Sequence, residues 1–316
     1  MKKSKNKGKI LIATSSFGKV SLEPIKILED KGYEIILNKL GRVLNESELS
    51  THLKNCVAVI AGTEKYNKNI FKKNKNLKVI SRLGVGLDNI DLNSASEEKV
   101  AIYSCSTSPA TAVAELVIGL FLNLSRNVSD MNEDLKAGIW NKKIGSLFCG
   151  KTVGIIGLGD IGKKLVEITQ SFKLNYLAFD LKKDKKFSKK YNVNYVSLEN
   201  LLENSNFVTI HLNGSKENKN FIDLKKLRLM KNNPILVNTS RGDIIDEKAI
   251  KVALKKNIIS GLGLDVFSEE PFKADEDFLS FNNVIFTPHV GAYASEIRTK
   301  MEIESVKNLL THLENE

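Results

Sequence analysis

Residues 152–162 read TVGIIGLGDIG, and this stretch decides the fold. The apolar run before the glycines predicts a buried strand, and residues 163–172 after them predict a helix. In such a turn Gly157 permits the sharp bend, Gly159 lets a phosphate group approach the backbone, and Gly162 allows the helix to pack closely on the strand. Glycine triplets also arise by chance in turns that bind nothing. The strand–turn–helix context favours a dinucleotide-binding unit.

The residues around this turn indicate which dinucleotide binds. The pyrophosphate is expected at the N-terminus of the helix, beside Asp160 and Ile161. Asp180 closes the next apolar run, where a carboxylate accepts hydrogen bonds from the ribose hydroxyls of the adenosine. A carboxylate at that place would repel a 2′-phosphate, so the sequence favours NAD over NADP. Lys182 and Lys183, just beyond, soften that preference.

Short apolar runs alternate with helix-like stretches along the 316 residues, the pattern of parallel sheets covered by helices. The length suits two domains. The alternation restarts at the glycine turn, and a terminal helix is able to return to the first half. We therefore predict an α/β protein with two doubly wound parallel sheets. A Rossmann NAD-binding domain at 106–290 interrupts a flavodoxin-like substrate domain made of 1–105 and 291–316.

Composition limits the possible partners. The 48 Lys and Arg residues exceed the 37 Asp and Glu residues, giving a net charge of +11. Most of this charge is lysine in polar runs without stacking aromatic residues, so no nucleic-acid partner is predicted, although the field can attract small anions. No apolar stretch is long enough to span a membrane. Three scattered cysteines predict neither disulfides nor a metal site and suit the cytoplasm.

Three segments each place one reactive side chain after a predicted strand. They are Arg241 in NTSRGD, Glu270 in DVFSEEP and His289 in TPHVGA. Since ligands bind outside the carboxyl ends of parallel strands, these groups are offered to one crevice. A histidine suits proton transfer, a carboxylate orients it, and a guanidinium grips a substrate carboxylate in a forked pair.

With these motifs the sequence resembles the D-isomer-specific 2-hydroxyacid dehydrogenases over nearly its whole length. The resemblance rests also on RLGVGLDNID at 82–91 and AVAE at 112–115. It implies that Arg241, Glu270 and His289 are the catalytic residues. The loop of Gly84, Val85 and Gly86 is then expected to receive the substrate carboxylate. The implied NAD contacts are Gly157, Gly159, Asp160, Ile161, Gly162, Asp180, His211, Leu212, Thr239, Ser240, Asp265, Gly291 and Ala292.

The resemblance implies NAD(H)-dependent interconversion of a D-2-hydroxy acid and its 2-keto acid. Candidate pairs are 3-phosphoglycerate with 3-phosphohydroxypyruvate and the acids related to glyoxylate and hydroxypyruvate. A homodimer is also implied, and the apolar helix predicted near 111–127 is expected to form its interface. The alternative is an NAD(H)-sensing scaffold like the corepressors that share this fold, which would lack significant turnover.

The chain departs from the family pattern in two loops. Residues 104–107 read SCST where the family has Asn-Thr-Pro-Gly, and Asn213 replaces a proline shortly after His211. Because proline fixes its own backbone dihedral angle, losing both prolines should loosen these two loops.

Overall fold

A computed structural model describes residues 7–273 and 275–315 and divides them into two compact units. The first unit contains the described chain up to Ser108 together with everything from Tyr293 onward. The second unit runs from Pro109 to Ala292. The extreme ends of the predicted substrate domain lie outside the described residues.

The first unit contains a five-stranded parallel sheet in the order β2-β1-β3-β4-β5. Its strands are β1 (Lys9–Ile12), β2 (Glu34–Leu37), β3 (Cys56–Ala61), β4 (Val79–Arg82) and β5 (Ala101–Ser104). Its helices are α1 (Glu23–Asp30), α2 (Glu46–His52), α3 (Lys68–Lys73), α4 (Leu92–Glu97) and the terminal α13 (Ser295–Asn315). The residues of the central strands β3 and β4 are almost all buried, as expected for a parallel sheet covered on both faces.

The second unit contains a seven-stranded parallel sheet in the order β12-β11-β10-β9-β6-β7-β8. Its strands are β6 (Thr152–Ile156), β7 (Asn175–Phe179), β8 (Val193–Tyr195), β9 (Phe207–Ile210), β10 (Ile235–Asn238), β11 (Gly261–Leu264) and β12 (Val284–Phe286). Its helices are α5 (Ala110–Arg126), α6 (Val128–Lys136), α7 (Asp160–Ile168), α8 (Lys185–Tyr191), α9 (Leu198–Asn204), α10 (Leu224–Leu227), α11 (Glu247–Lys255) and α12 (Glu276–Leu279). The prediction of two doubly wound parallel sheets is confirmed.

The most apolar face of α5 packs inside the second unit, whereas the prediction that this helix forms a dimer interface concerns a second chain and stays a prediction. Val117, Leu120 and Phe121 are buried in one core cluster with Ile155 of β6 and Val237 of β10. Helical periodicity shows that a face must be covered but not which chain covers it.

One group of exposed apolar side chains lies in and after α6. Ile144 is 99% exposed, Trp140 79% and Leu147 68%, and all three belong to an irregular segment before β6. Within the described chain no single helix has the length and apolar character to cross a membrane. The helices α5 and α6 meet those criteria only as a pair, which bends by 62°.

Candidate active site

The glycine turn of the second unit forms a cradle that fits a dinucleotide pyrophosphate. Gly157 has a φ of +93°, and a Cβ there would lie 2.7 Å from the His211 carbonyl oxygen. A Cβ on Gly162 would lie 2.8 Å from the Gly157 carbonyl oxygen, so both positions need glycine. A Cβ on Gly159, by contrast, would meet open space. Gly159 caps α7 without a side-chain hydrogen bond, which leaves the first-turn amides, beginning at Asp160, to a ligand.

Sheet register places the other predicted cofactor residues beside this turn. Ile156 of β6 pairs with Phe179 of β7 and with Ile210 of β9. Asp180 and His211 therefore flank Gly157. Asp180 Oδ2 accepts a hydrogen bond from the Leu158 amide at 2.7 Å, and its Oδ1 accepts one from the Lys182 amide at 2.8 Å. Each oxygen retains a lone pair for a ribose hydroxyl.

Two buried polar atoms at adjacent strand ends have no hydrogen-bond partner in the described chain. They are Nδ1 of His211, after β9, and Oγ1 of Thr239, after β10. Burial of the ring lowers the pKa of His211 to about 3, so this histidine is neutral at physiological pH. Buried polar groups normally find partners, and these two fit a site that a polar ligand completes.

Four predicted cofactor residues occupy the rim and floor of the same edge. Ile161 is half-buried in the first turn of α7, and Leu212 is half-buried with Cδ2 3.3 Å from a Cβ on Gly157. Gly291 is buried and Ala292 half-buried after β12. The second unit thus brings the predicted cofactor residues to the carboxyl edge of one sheet.

His289 and Glu270 form a direct pair in the second unit. His289 Nδ1 lies 2.8 Å from Glu270 Oε2 and 3.0 Å from Oε1. The Phe267 amide donates to Glu270 Oε1 at 3.2 Å and so fixes the carboxylate. The side chains of the histidine and the glutamate are 31% and 20% exposed. This pairing leaves Nε2 as the ring nitrogen able to exchange a proton with a ligand.

Asp265 anchors the loop that carries His289. Its Oδ1 accepts hydrogen bonds from the Thr287 hydroxyl at 2.6 Å and the Val290 amide at 2.8 Å, and its Oδ2 accepts one from the Gly291 amide at 2.9 Å. Burial raises the pKa of Asp265, while these hydrogen bonds oppose the shift. Three of the carboxylate's roughly four acceptor positions are therefore used inside the protein. The sequence alone did not indicate this anchoring role.

Arg241 follows β10 in a turn organised by Asn238. The Asn238 side chain donates to the Arg241 carbonyl oxygen at 2.8 Å, and its Oδ1 accepts from the Ser240 amide at 3.0 Å and hydroxyl at 2.7 Å. Arg241 Nη1 donates to the Ser240 carbonyl oxygen at 2.7 Å. Asn238 is fully buried, and its position at a strand end was the only sequence signal for this role.

In the first unit, the loop of Gly84, Val85 and Gly86 follows β4. The Gly84 amide donates to the Arg82 carbonyl oxygen at 2.9 Å, so it is engaged within the loop. A Cβ on Gly84, whose φ is +155°, would overlap the Arg82 guanidinium. Within the described residues the amides of Val85 and Gly86 make no hydrogen bond. These two amides, rather than all three, are available to an anion.

Hydrogen bonds restrain the two loops that lack the family's prolines. Glu304 of α13 accepts hydrogen bonds from the backbone and side chain of both Ser106 and Thr107, at 2.6 to 3.0 Å. Asn213 accepts two hydrogen bonds from the Asn218 side chain, at 3.0 Å on its carbonyl oxygen and 2.8 Å on Oδ1. Side chains thus hold both loops where the sequence predicted loosening.

Comparisons with known proteins agree with this architecture. Residues 118–291 match the family model described as "D-isomer specific 2-hydroxyacid dehydrogenase, NAD binding domain". A solved structure, the TT0316 protein of Thermus thermophilus, superposes with a TM-score of 0.86 at 26% identity. The superposition covers 97% of each chain.

Several relatives carry names of enzymes. D-3-phosphoglycerate dehydrogenase of Methanocaldococcus jannaschii is 37% identical over 87% of this chain, but the match spans only 52% of that protein. Hydroxypyruvate reductase of Thermotoga maritima is 35% identical, covering 81% of this chain and 84% of the relative. Glyoxylate reductase of Thermococcus litoralis is 32% identical, covering 92% and 91%.

These findings confirm NAD as the cofactor and favour an enzyme over the NAD(H)-sensing scaffold. The chain belongs to the D-isomer-specific 2-hydroxyacid dehydrogenase family, whose NAD-dependent members interconvert a D-2-hydroxy acid and its 2-keto acid.

Proposed function

We propose that this enzyme reduces a short 2-keto acid to the D-2-hydroxy acid, or runs the reverse reaction, with His289 as the proton donor and acceptor. The observation that carries the proposal is the 2.8 Å contact between His289 Nδ1 and Glu270 Oε2, in the same unit as the dinucleotide cradle. Bound NAD(H) supplies the hydride chemistry. The chain's own residues bind the acid, orient it and move the proton.

His289 exchanges the proton at the C2 oxygen through Nε2. Glu270 fixes the ring by accepting a hydrogen bond from Nδ1 and stabilises the positive charge that protonation creates. Asp265 holds the backbone on either side of the histidine through Thr287, Val290 and Gly291. The imidazole is thereby preorganised before substrate arrives.

Arg241 grips the substrate carboxylate and polarises the C2 carbonyl. A guanidinium does both because its planar fork presents parallel N–H donors to a carboxylate. The turn built by Asn238 fixes the backbone of Arg241, which supports this role. The amides of Val85 and Gly86, in the first unit, are proposed as further donors to the substrate carboxylate.

The second unit is proposed as the NAD-binding domain and the first as the substrate domain. The open space beside Gly159 and the unused first-turn amides of α7 support the pyrophosphate position. Asp180 is assigned to the adenosine ribose. The orphaned polar atoms of His211 and Thr239 and the remaining acceptor position of Asp265 are assigned to the nicotinamide end.

A homodimer in the cytoplasm is proposed for the assembled enzyme. Trp140, Ile144 and Leu147 expose apolar surface in one segment, which marks an interaction site better than the buried face of α5 does. The free thiols of Cys56, Cys105 and Cys149 suit a reducing compartment. Sedimentation of wild type and Ile144→Asp tests the interface. A dimeric wild type and a monomeric variant are expected, and an unchanged mass would refute this surface.

The decisive experiment is NADH oxidation followed by absorbance with glyoxylate, hydroxypyruvate, pyruvate, phosphohydroxypyruvate and branched 2-keto acids. Turnover with at least one of them is expected. His289→Ala should lower kcat by about 10² or more while NADH still binds, because the proton donor is lost. Glu269→Gln, beside Glu270, is the matched control and should keep near-wild-type activity. Near-wild-type turnover of His289→Ala would refute the proton-transfer role.

A further inference from the structure

A buried ion pair on the terminal helix ties the first unit's β1 loop, residues 14–18, to that helix. Arg298 Nε donates to Glu302 Oε1 at 2.9 Å, and the two side chains are 7% and 0% exposed. Arg298 Nη2 donates to Thr14 Oγ1 at 3.0 Å and to Ser16 Oγ at 2.8 Å. Burying two opposite charges rarely adds stability over apolar packing. We therefore look for the role of this pair in the position that it gives the β1 loop.

Further contacts fix the same loop from this helix and from Tyr293, which precedes it. Glu302 Oε2 accepts a hydrogen bond from the Gly18 amide at 3.1 Å. The Ser16 hydroxyl donates to Tyr293 Oη at 3.0 Å, and the Tyr293 ring lies 4.7 Å from the Arg298 guanidinium. The loop is therefore held at Thr14, Ser16 and Gly18.

The β1 loop occupies the edge of the sheet where a ligand binds. In the order β2-β1-β3-β4-β5, chain progression reverses at β1, and crevices open outside the carboxyl ends at such a reversal. Thr14 Cγ2 lies 3.2 Å from the position of a Cβ on Gly62, the first residue after β3. The loop of Gly84 to Gly86, assigned to the substrate carboxylate, follows the next strand along. The β1 loop therefore lies on the side of the sheet edge toward which the rest of the substrate, beyond its carboxylate, extends.

The buried charged side chains at this edge of the sheet lie near side chains of opposite charge. Arg298 faces Glu302, as described. Glu64, after β3, is 2% exposed and accepts a hydrogen bond from the Gly62 amide at 2.8 Å. Burial raises the pKa of Glu64, and hydrogen bonds from backbone amides, together with the positive charge of Arg82, oppose that shift. A phosphate dianion needs cations that are not already neutralised, whereas a hydroxyl such as that of Ser15 suits a neutral polar group.

We propose that the β1 loop selects the substrate's C3 substituent and that Arg298 and Glu302 are positioning residues that hold the loop in place. The loop accepts glyoxylate, which has no C3, and 2-keto acids whose C3 carries hydrogen or a hydroxyl group, and it rejects acids with a phosphate on C3. This inference rests on the proposed function, since it assigns the substrate class of that same site.

The first test compares kcat/KM for hydroxypyruvate, glyoxylate and phosphohydroxypyruvate in the wild type. Hydroxypyruvate or glyoxylate should exceed phosphohydroxypyruvate by at least about 10²-fold. A preference for phosphohydroxypyruvate would overturn the inference and leave the proposed dehydrogenase function intact. Absence of turnover with every 2-keto acid, in a protein that binds NADH, would instead refute the proposed function.

The second test separates positioning from general stability. Arg298→Lys keeps the charge but loses the fork that reaches both hydroxyls, and Ser16→Ala removes one anchor from an accessible loop. Both should raise KM for hydroxypyruvate about tenfold with kcat within about twofold, and both should lower the preference for hydroxypyruvate over glyoxylate. Thr299→Ala, a half-buried neighbour on α13, is the control. Equal losses for all substrates, or no change in either variant, would overturn the positioning role.

Discussion

Replacing Glu304 by glutamine should destabilise the first unit in a pH-dependent way. The carboxylate accepts four hydrogen bonds, from the amides and hydroxyls of Ser106 and Thr107. Partial burial raises the pKa of Glu304, but these four hydrogen bonds outweigh it and lower the pKa to about 2, from an ordinary value of 4.5. A glutamine keeps one acceptor oxygen, so at least one pair of donors loses its partner.

The size and sign of the effect follow from that shift. At about 1.4 kcal/mol per pKa unit the shift corresponds to a ceiling of about 3 kcal/mol. Because the carboxylate is half-exposed and screened by solvent, about 1 to 1.5 kcal/mol is expected at pH 7. A depressed folded-state pKa contributes stability that is fully present above pH 4.5 and lost as pH falls toward 2. By pH 3.5 about two fifths of it should be gone.

The assay is urea unfolding of wild type and Glu304→Gln between pH 7 and pH 3.5, with hydrogen exchange at the Ser106 and Thr107 amides. The variant should unfold at lower urea, exchange both amides faster, and approach the wild type as the pH falls. Glu314→Gln is the control, because its partner Lys31 forms an exposed salt bridge that contributes little. Equal unfolding free energies for the two variants at pH 7, or a difference independent of pH, would refute the reasoning.

Two more predictions concern ligands in the second unit. Arg241→Lys should raise substrate KM about tenfold or more with NADH affinity unchanged, because an ammonium cannot form the forked pair. Steady-state kinetics and NADH titration measure the two quantities. A substrate KM equal to that of the wild type would contradict the assignment. Asp180→Ala should lower the preference for NAD over NADP about tenfold or more, since the carboxylate that repels a 2′-phosphate is gone. The ratio of kcat/KM for the two cofactors measures that change, and an unchanged ratio would remove the ribose assignment.

Local sequence predicts the dinucleotide cradle well because its determinants are adjacent residues. Gly157, Gly159 and Gly162 stand within six positions, and their strand–turn–helix context is found in β6 and α7. The pairing of His289 with Glu270 came from the family resemblance, and the structure shows the two side chains in contact. The positions of these two residues after predicted strands indicated only that both lie at the same edge of the sheet.

Local sequence does not predict a residue's contacts when its partner lies far along the chain. The apolar stripe of α5 carries the same periodicity whether β6 and β10 cover it or a second subunit does. Asp265 reads as an ordinary carboxylate after a strand, because its three donors belong to the loop after β12. In both cases the deciding contact depends on the assembled sheet.

The terminal helix shows why the missing prolines led us to predict loose loops when each loop was considered alone. A proline restrains a loop by fixing its own dihedral angle, whereas a carboxylate on a packed helix restrains it by binding several donors. Glu302 binds the β1 loop at Gly18, and Glu304, two residues later, binds Ser106 and Thr107 after β5. One helix thus fixes two loops of the first unit. Since that restraint depends on α13 packing against β4 and β5, destabilising the helix should release both loops together.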